Sequence, residues 1–367
     1  MNILRRLPLS RLLLLCGAVV ALGAGLTAIA SALDSGPTPP PQPLAQAVSK
    51  ALNGPRVDGV TARITFANHL LEGANLAGGG GDGGNSIASN PLVNGASGRL
   101  WVASDGRLRI ELQSAKGDIQ IVYDGHTVSI YDGSSNTIYR YTPKQDASGS
   151  GASERGAQDQ KSPPSVAQIE EAVAHLREHV NVSGATPTDV AGQPAYTVRI
   201  SPKEGGSLIG GAELSFDANH GFPLRTAVYS SKSSAPVIEL AATEVTYGAV
   251  DGSVFSISPP SNATVHVIEP SGEAPTGQNP PKTDGKGTLT GHGHGISTIG
   301  VLQTPAHGAQ KEGGALEQLP TVSINGTSAN ELRTELGTIL TFERSGVRYV
   351  VAGAVEAAQV EALAREL

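Results

Sequence analysis

The stretch that decides the fold is RLWVASDGRLRIELQSAKGDIQIVYDGHTVSIYDGSSNTIYRY, residues 99–141. Within it Leu108, Ile110 and Leu112 alternate with Arg107, Arg109, Glu111 and Gln113. Ile119, Ile121 and Tyr123 follow, then Val128 and Ile130, then Tyr139 and Tyr141. Neighbouring residues of a strand point to opposite faces, so a period of two describes four short strands with one apolar face. Asp105-Gly106, Lys116-Gly117-Asp118, Asp124-Gly125 and Asp132-Gly133 punctuate them, and these residue types suit tight hairpin turns. The stretch reads as an antiparallel meander.

The same period extends outward. Val60, Ala62, Ile64 and Phe66 alternate with Thr61, Arg63 and Thr65, giving a further one-faced strand. Ahead of it, LAQAVSKAL at 44–52 has helical spacing. A second helix is expected over about 165–180, capped by Ser165, with Ile169, Ala172, Val173, Leu176 and Val180 as its apolar stripe. Strands resume at 195–200, 212–216, 224–229 and 237–247. Beyond residue 290 the pattern predicts strands near 296–302 and 319–324, a hairpin of 337–342 with 347–352, and a helix over about 355–367. No fixed-period repeat is present.

Glycine and proline number 46 and 24 in 367 residues, about 19%, against roughly 12% in average usage. Much of that excess falls in a Pro-rich spacer at 33–43, insertions at 73–98 and 144–164, and a linker at 269–290. The division that follows is a main β domain over 44–268 and a small C-terminal unit over 291–367. The expected fold is mainly β: a curved antiparallel half-barrel sheet covered by a few helices. Two short helices are thin cover for about nine strands, so the sheet either curls into a partial barrel or leaves an apolar groove.

Residues 1–32 set the compartment. Arg5, Arg6 and Arg11 precede an uncharged apolar run from 12 to 32, the pattern of a secretory signal or a membrane anchor. Ala30-Ser31-Ala32 fits a cleavage site, and 21 apolar residues also suffice to cross a bilayer about 30 Å thick. The body is expected outside the cytoplasm, at the cell membrane or secreted. Cys16, the single cysteine, lies in this segment, so disulfides, thiolate-held metals and a Cys nucleophile are excluded from the body. The net charge is −7, and the first 32 residues hold three arginines and no acid, leaving the body still more acidic. Nucleic acid is therefore no partner.

Catalytic motifs do not survive inspection. There is neither a G-x-S-x-G serine nor a phosphate-binding Gly-Lys-Ser/Thr. Gly79-x-Gly81-x-x-Gly84 lies in a GGGGDGG run without strand–turn–helix context and reads as loop. His175-Leu-Arg-Glu178-His179 matches H-x-x-E-H on a helix, but no second glutamate-bearing helix completes a zinc peptidase. It reads as the polar edge of a cover helix. Gly291-His-Gly-His-Gly295 reads as solvated linker, given the cost of ordering chain between glycines. Neither an enzyme nor a cofactor nor a metal site is expected.

One block has a recognisable succession. Val190-Ala-Gly-Gln-Pro-Ala-Tyr-Thr-Val-Arg-Ile200 precedes Ala212-Glu-Leu-Ser-Phe-Asp217, then Gly221-Phe-Pro-Leu-Arg225, then Phe255-x-x-x-Pro-Pro260. In that order it resembles the LolA-like superfamily of exported lipoprotein carriers. It is more closely similar to the LolA-like or MucB/RseB-like proteins of high-GC Gram-positive bacteria. Gly346-Val-Arg-Tyr-Val-Val-Ala-Gly-Ala-Val355 resembles the C-terminal hairpin of those proteins. The resemblance implies a helix-closed half-barrel whose apolar cavity holds lipid or lipoprotein acyl chains, without catalysis. The anchor, the insertions and the C-terminal unit depart from a soluble courier, so a regulatory sensor that binds a membrane partner such as an anti-sigma factor is the alternative. From the alternation, the cavity residues are Ile64, Phe66, Leu108, Ile110, Leu112, Ile121, Tyr123, Val198, Ile200, Phe216 and Val228.

Overall fold

A computed structural model describes residues 36–72, 95–115, 117–143, 163–268, 287–306 and 319–367. The N-terminal segment 1–32, the 79–84 glycine run and the bodies of the insertions and linker lie outside the described residues. No described helix is long and apolar enough to cross a membrane.

Among the described residues, two sheets and three α-helices form the fold. The order is α1 (Leu44–Leu52), β1 (Gly59–Asn68), β2 (Ala96–Ala103), β3 (Leu108–Ser114), β4 (Gly117–Tyr123), β5 (Val128–Asp132), β6 (Thr137–Tyr141) and α2 (Val166–His179). Then come β7 (Val180–Val182), β8 (Thr186–Val190), β9 (Gln193–Pro202), β10 (Ile209–Asp217), β11 (Pro223–Ser230), β12 (Pro236–Tyr247) and β13 (Thr264–Ile268). The first sheet runs β13-β6-β5-β4-β3-β2-β1-β12-β11-β10-β9-β7, with β8 also on β9. Its neighbours are antiparallel except β13, which lies parallel to β6. The sheet is open, with β13 and β7 at its ends.

The sheet has thirteen strands where the sequence reading counted about nine. Strand β7 is only three residues long, and β8 carries Pro187 and Asp189, both poor strand formers. The first three residues of β2, Ala96 to Gly98, fall in the stretch read as insertion. Gly98 is required there, because a Cβ would stand 1.7 Å from the Glu111 carbonyl oxygen. The helices appear where their spacing placed them. A capping box closes the start of α2: Ser165 Oγ accepts from the Gln168 amide, and Gln168 Oε1 accepts from the Ser165 amide. Its stripe packs less than expected. Ile169 is buried, Val173 and Leu176 are half-buried, and Ala172 is exposed.

One apolar face of the sheet holds two packed clusters. At the β9–β10 end, Leu44, Ala47 and Ala51 of α1 pack on Tyr196, Val198 and Phe216. Across β1, β3 and β12, Ile64, Phe66, Ile110, Leu112, Ile238 and Ala242 form the second cluster, joined by Leu70, Ala191 and Leu336 from connections. The buried Asp217 carboxylate ties the β10–β11 turn to β12. It accepts from the Asn219 and His220 amides, each at 2.7 Å, and from Tyr247 Oη at 2.6 Å.

The second sheet runs β14-β15-β19-β18-β17-β16, built from β14 (Thr288–His292), β15 (Ile299–Pro305), β16 (Thr321–Ile324), β17 (Thr327–Arg333), β18 (Thr338–Arg344) and β19 (Val347–Gly353). Strand β14 opens inside the stretch read as linker, and Gly291 and His292 belong to it. Helix α3 (Ala357–Glu366) closes this sheet's core through Val360 and Ala364. The two sheets touch: the Leu208 amide donates to Ala354 O at 2.7 Å, the Glu335 amide donates to Leu70 O at 3.2 Å, and Lys232 pairs with Glu356 at 2.7 Å.

Glu331 is the misfit of this second core. It stands opposite the fully buried Leu340, its Oε1 has no partner, and its Oε2 meets Arg333 Nε. Burial pushes its carboxyl above the usual carboxylate range, and the neighbouring Glu361 adds to the rise. The folded chain therefore holds this proton to higher pH than the unfolded chain, so this group's contribution to stability declines as pH rises through its folded pKa. Glu331→Gln is expected to raise the denaturation midpoint at pH 8, with the gain shrinking toward pH 4. Equal destabilisation at both pH values would contradict this account.

Candidate functional site

Residues directly opposite one another in neighbouring strands share a face, so register arranges side chains in rows across the sheet. One row runs Ala62, Leu100, Ile110, Ile121, Ile130, Tyr139 and His266. Two residues along each strand, a second runs Val60, Val102, Leu108, Tyr123, Val128, Tyr141 and Ile268. Both rows are apolar or aromatic from β1 to the free edge, where His266 stacks on Tyr139 with ring centroids 5.6 Å apart. The next row ends in Asp132, Thr137 and Thr264, so the apolar stripe is bounded on that side.

Exposure rises along the stripe. Ala62 and Val60 are each 2% exposed and Ile110 is 8%. Leu108, Ile121, Tyr123, Val128 and Ile130 are half-buried. Tyr139, Tyr141 and Ile268 reach 38%, 37% and 48%. The reason is where the helices sit. Helix α1 packs on β9 and β10, whereas the core cluster spanning β1 to β4 contains no helix residue. Among the described residues, the β3–β6 half of this face has no helical cover.

The opposite face is closed by polar contacts and a connection. Phe255, 2% exposed, lies under the Arg107 guanidinium, 4.7 Å from ring centroid to carbon. Arg109 donates to the carbonyls of Val254 and Ser256 at 2.9 and 3.0 Å and to Gln120 Oε1 at 3.0 Å. Nearer β11, Glu213 takes bonds from Arg199, Arg225 and Tyr229, and these hold its carboxyl below the usual range despite burial. Arg63 also lies on this face, paired with Glu244 at 2.8 Å and exposed.

The structure brings all eleven residues read from the alternation to the apolar face. They divide by burial. Ile64, Phe66, Ile110, Leu112, Val198 and Phe216 are packed into core, the last two beneath α1. Leu108, Ile121, Tyr123, Ile200 and Val228 remain half-buried. Sequence reasoning missed Val128, Ile130, Tyr139 and Tyr141 as site residues, although the same alternation contains them. It also missed β13 outright. A cavity of about 180 Å³ lies elsewhere, between the sheets, lined by five charged side chains, Lys232, Arg333, Glu72, Glu335 and Glu356, together with Leu208, Thr334, Thr338 and Ala357.

His175, Glu178 and His179 are exposed near the C-terminal end of α2. His175 Nδ1 lies 3.1 Å from Glu178 Oε2.

No protein-family model matches the chain, and no curated protein matches it. Solved structures do resemble it. MucB in complex with MucA(peri) is 16% identical, covering 88% of this chain and 94% of that one, with a TM-score of 0.42. The Pseudomonas aeruginosa MucA/MucB complex gives 17% identity, the same coverages and a TM-score of 0.42. A LolA-superfamily protein of Nitrosomonas europaea is 8% identical over 85% of this chain and 91% of its own, with a TM-score of 0.19. Members of the superfamily that the sequence motifs resemble are thus among these structures.

Truncation should separate the two ends of the stripe. Phe66→Ala, deep in the core, is expected to cost about 3–5 kcal/mol in denaturant unfolding. Tyr139→Ala, at the exposed end, should cost under about 1 kcal/mol, since little buried surface is lost. Similar costs at both sites would show that the β6 end is covered.

Proposed function

We propose that the chain is an extracytoplasmic lipid- or lipoprotein-binding protein, tethered at the membrane by its N-terminal apolar segment, which holds acyl chains against the β3–β6 half of its sheet and performs no catalysis. The observation that carries this reading is the pair of apolar rows that leave the core and end at a free edge. Strands lie about 4.8 Å apart, so the four steps from β3 to β13 span about 19 Å. One leaflet of a bilayer's hydrocarbon is about 15 Å deep, so an extended acyl chain fits along the rows. Each methylene buried contributes about 0.8 kcal/mol, enough for useful affinity without a charged contact. The lining is aliphatic and tyrosyl, which suits flexible chains.

A second reading is a regulatory module that binds a membrane partner protein. The feature that favours it is β13, a five-residue strand exposed along its whole length that pairs only with β6 among the described strands. An unpaired strand edge accepts another chain's strand.

Native mass spectrometry of the full-length protein released gently from membranes is expected to show co-purifying lipid. Ile130→Glu places a charge in the middle of the stripe and should weaken a fluorescent acyl probe at least tenfold while the fold persists by circular dichroism. A folded parent protein that stays empty and binds no diacylated lipopeptide would sink the lipid reading and leave the partner-binding one.

A further inference from the structure

The last turn of α2 carries a chemistry that neither reading uses. We propose that His175, Glu178 and His179 form a three-ligand site for a first-row divalent transition-metal ion, with Zn²⁺ or Cu²⁺ as the class of occupant. Positions i, i+3 and i+4 lie on one side of a helix, and here the three side chains each offer a ligand atom within 4.8 Å of the other two. Tetrahedral zinc with bonds of about 2.0–2.2 Å needs ligand atoms roughly 3.3–3.5 Å apart. The His175 and Glu178 side chains are 75% and 65% exposed, so rotation about their own bonds closes that gap without disturbing any packing. The His175 and His179 rings already stand 5.6 Å apart, edge to face.

The helix supplies part of the attraction. Glu178 and His179 lie in its final turn and His175 just before it, where the last carbonyls give the negative end of the helix dipole and favour a cation. One such carbonyl, Glu178 O, already accepts from Lys203 Nζ at 3.1 Å. The amino-terminal capping box fixes where the helix starts. Neutral imidazole and carboxylate suit zinc and copper, and copper binds such donors more tightly in the general affinity order.

This site differs from a zinc peptidase in the role of its glutamate. Catalysis would need Glu178 free as a base and another protein ligand, whereas Glu178 lies 3.1 Å from His175 Nδ1, in position to be a ligand itself. The consequence is binding without hydrolysis, with the remaining coordination positions open to water.

The test uses untagged full-length protein in detergent, titrated with zinc alone at pH 7.5 by calorimetry. One equivalent is expected, with His175→Ala and His179→Ala each weakening it at least tenfold and Glu178→Gln weakening it measurably. The His292→Ala/His294→Ala double variant, which removes the other histidine pair, should bind as the parent does. Substoichiometric copper should broaden the ring resonances of His175 and His179 before other histidines, a readout that needs no substitution. Absence of saturable zinc binding, or its loss in the His292/His294 variant instead, would overturn the site. An unchanged affinity in Glu178→Gln would overturn the three-ligand assignment.

Discussion

The pairing of β1 with β12 is the constraint on which the first sheet depends. Residues 60–68 lie against 238–247, so this ladder joins strands about 180 positions apart and unites the β1–β6 meander with the β9–β12 meander. Apart from the 69–95 connection between β1 and β2, each meander runs through short connections; this ladder makes them one sheet. Closing so long a loop is costly in chain entropy, although the cost grows slowly with length. What offsets it is the burial of Ala62, Ile64 and Phe66 against Ile238 and Ala242 in one cluster. A bulge between Arg63 and Ile64 shifts the register there and keeps the same apolar set inward on both sides of the irregularity.

That central ladder also explains why the two halves of the apolar face differ. Helix α1 precedes β1 and returns to the far end of the sheet, where the Gly54 backbone abuts the Asn219 carbonyl and Leu44, Ala47 and Ala51 meet Tyr196 and Phe216. Helix α2 follows β6 but leads into β7, so its contacts lie at that end too. Both helices are therefore drawn to the β9 side by the strands they connect to. On the opposite face, the 252–256 connection and the Arg109 fork cover β3 and β4. One half-sheet is left packed on its polar face and open on its apolar one.

How much of this was legible in the sequence follows from where periodicity is strong. Helices at 44–52 and 166–179, the meander and the C-terminal hairpin all carry a clean period and appear at nearly the expected bounds. The eleven candidate residues share a face because a period of two fixes facing regardless of tertiary detail. Alternation says which side a residue faces, but not what lies above it. Phe216 and Ile121 look alike in sequence, and only the position of α1 makes the first a core residue and leaves the second half-open. Strand β13 was illegible for a different reason. Thr264 to Ile268 follows Pro259-Pro260 and precedes a Gly- and Pro-rich stretch, and its pairing is to a strand about 125 residues earlier. Nothing local announces such a partner. Glu331 was equally hidden, because a carboxylate facing a core contradicts the pattern that sequence reading relies on.

The stripe's outer end carries one more physical argument. A soluble monomer normally blunts an edge strand with charge, proline or a bulge, since free amides and carbonyls invite pairing. Strand β13 has none of these: its five residues are Thr, Val, His, Val and Ile, and Val265 and Val267 are 50% and 71% exposed. On the other face of the same edge, Tyr139, Tyr141 and Ile268 continue the uncovered rows. Tyrosine combines an apolar body with a polar tip, and such residues favour the boundary between water and hydrocarbon. An acyl chain lying along the rows would leave the protein at this edge, with its headgroup beside the tyrosine hydroxyls. On the lipid-binding proposal, the edge and the stripe would form one feature, with the exposed strand at the mouth of the rows.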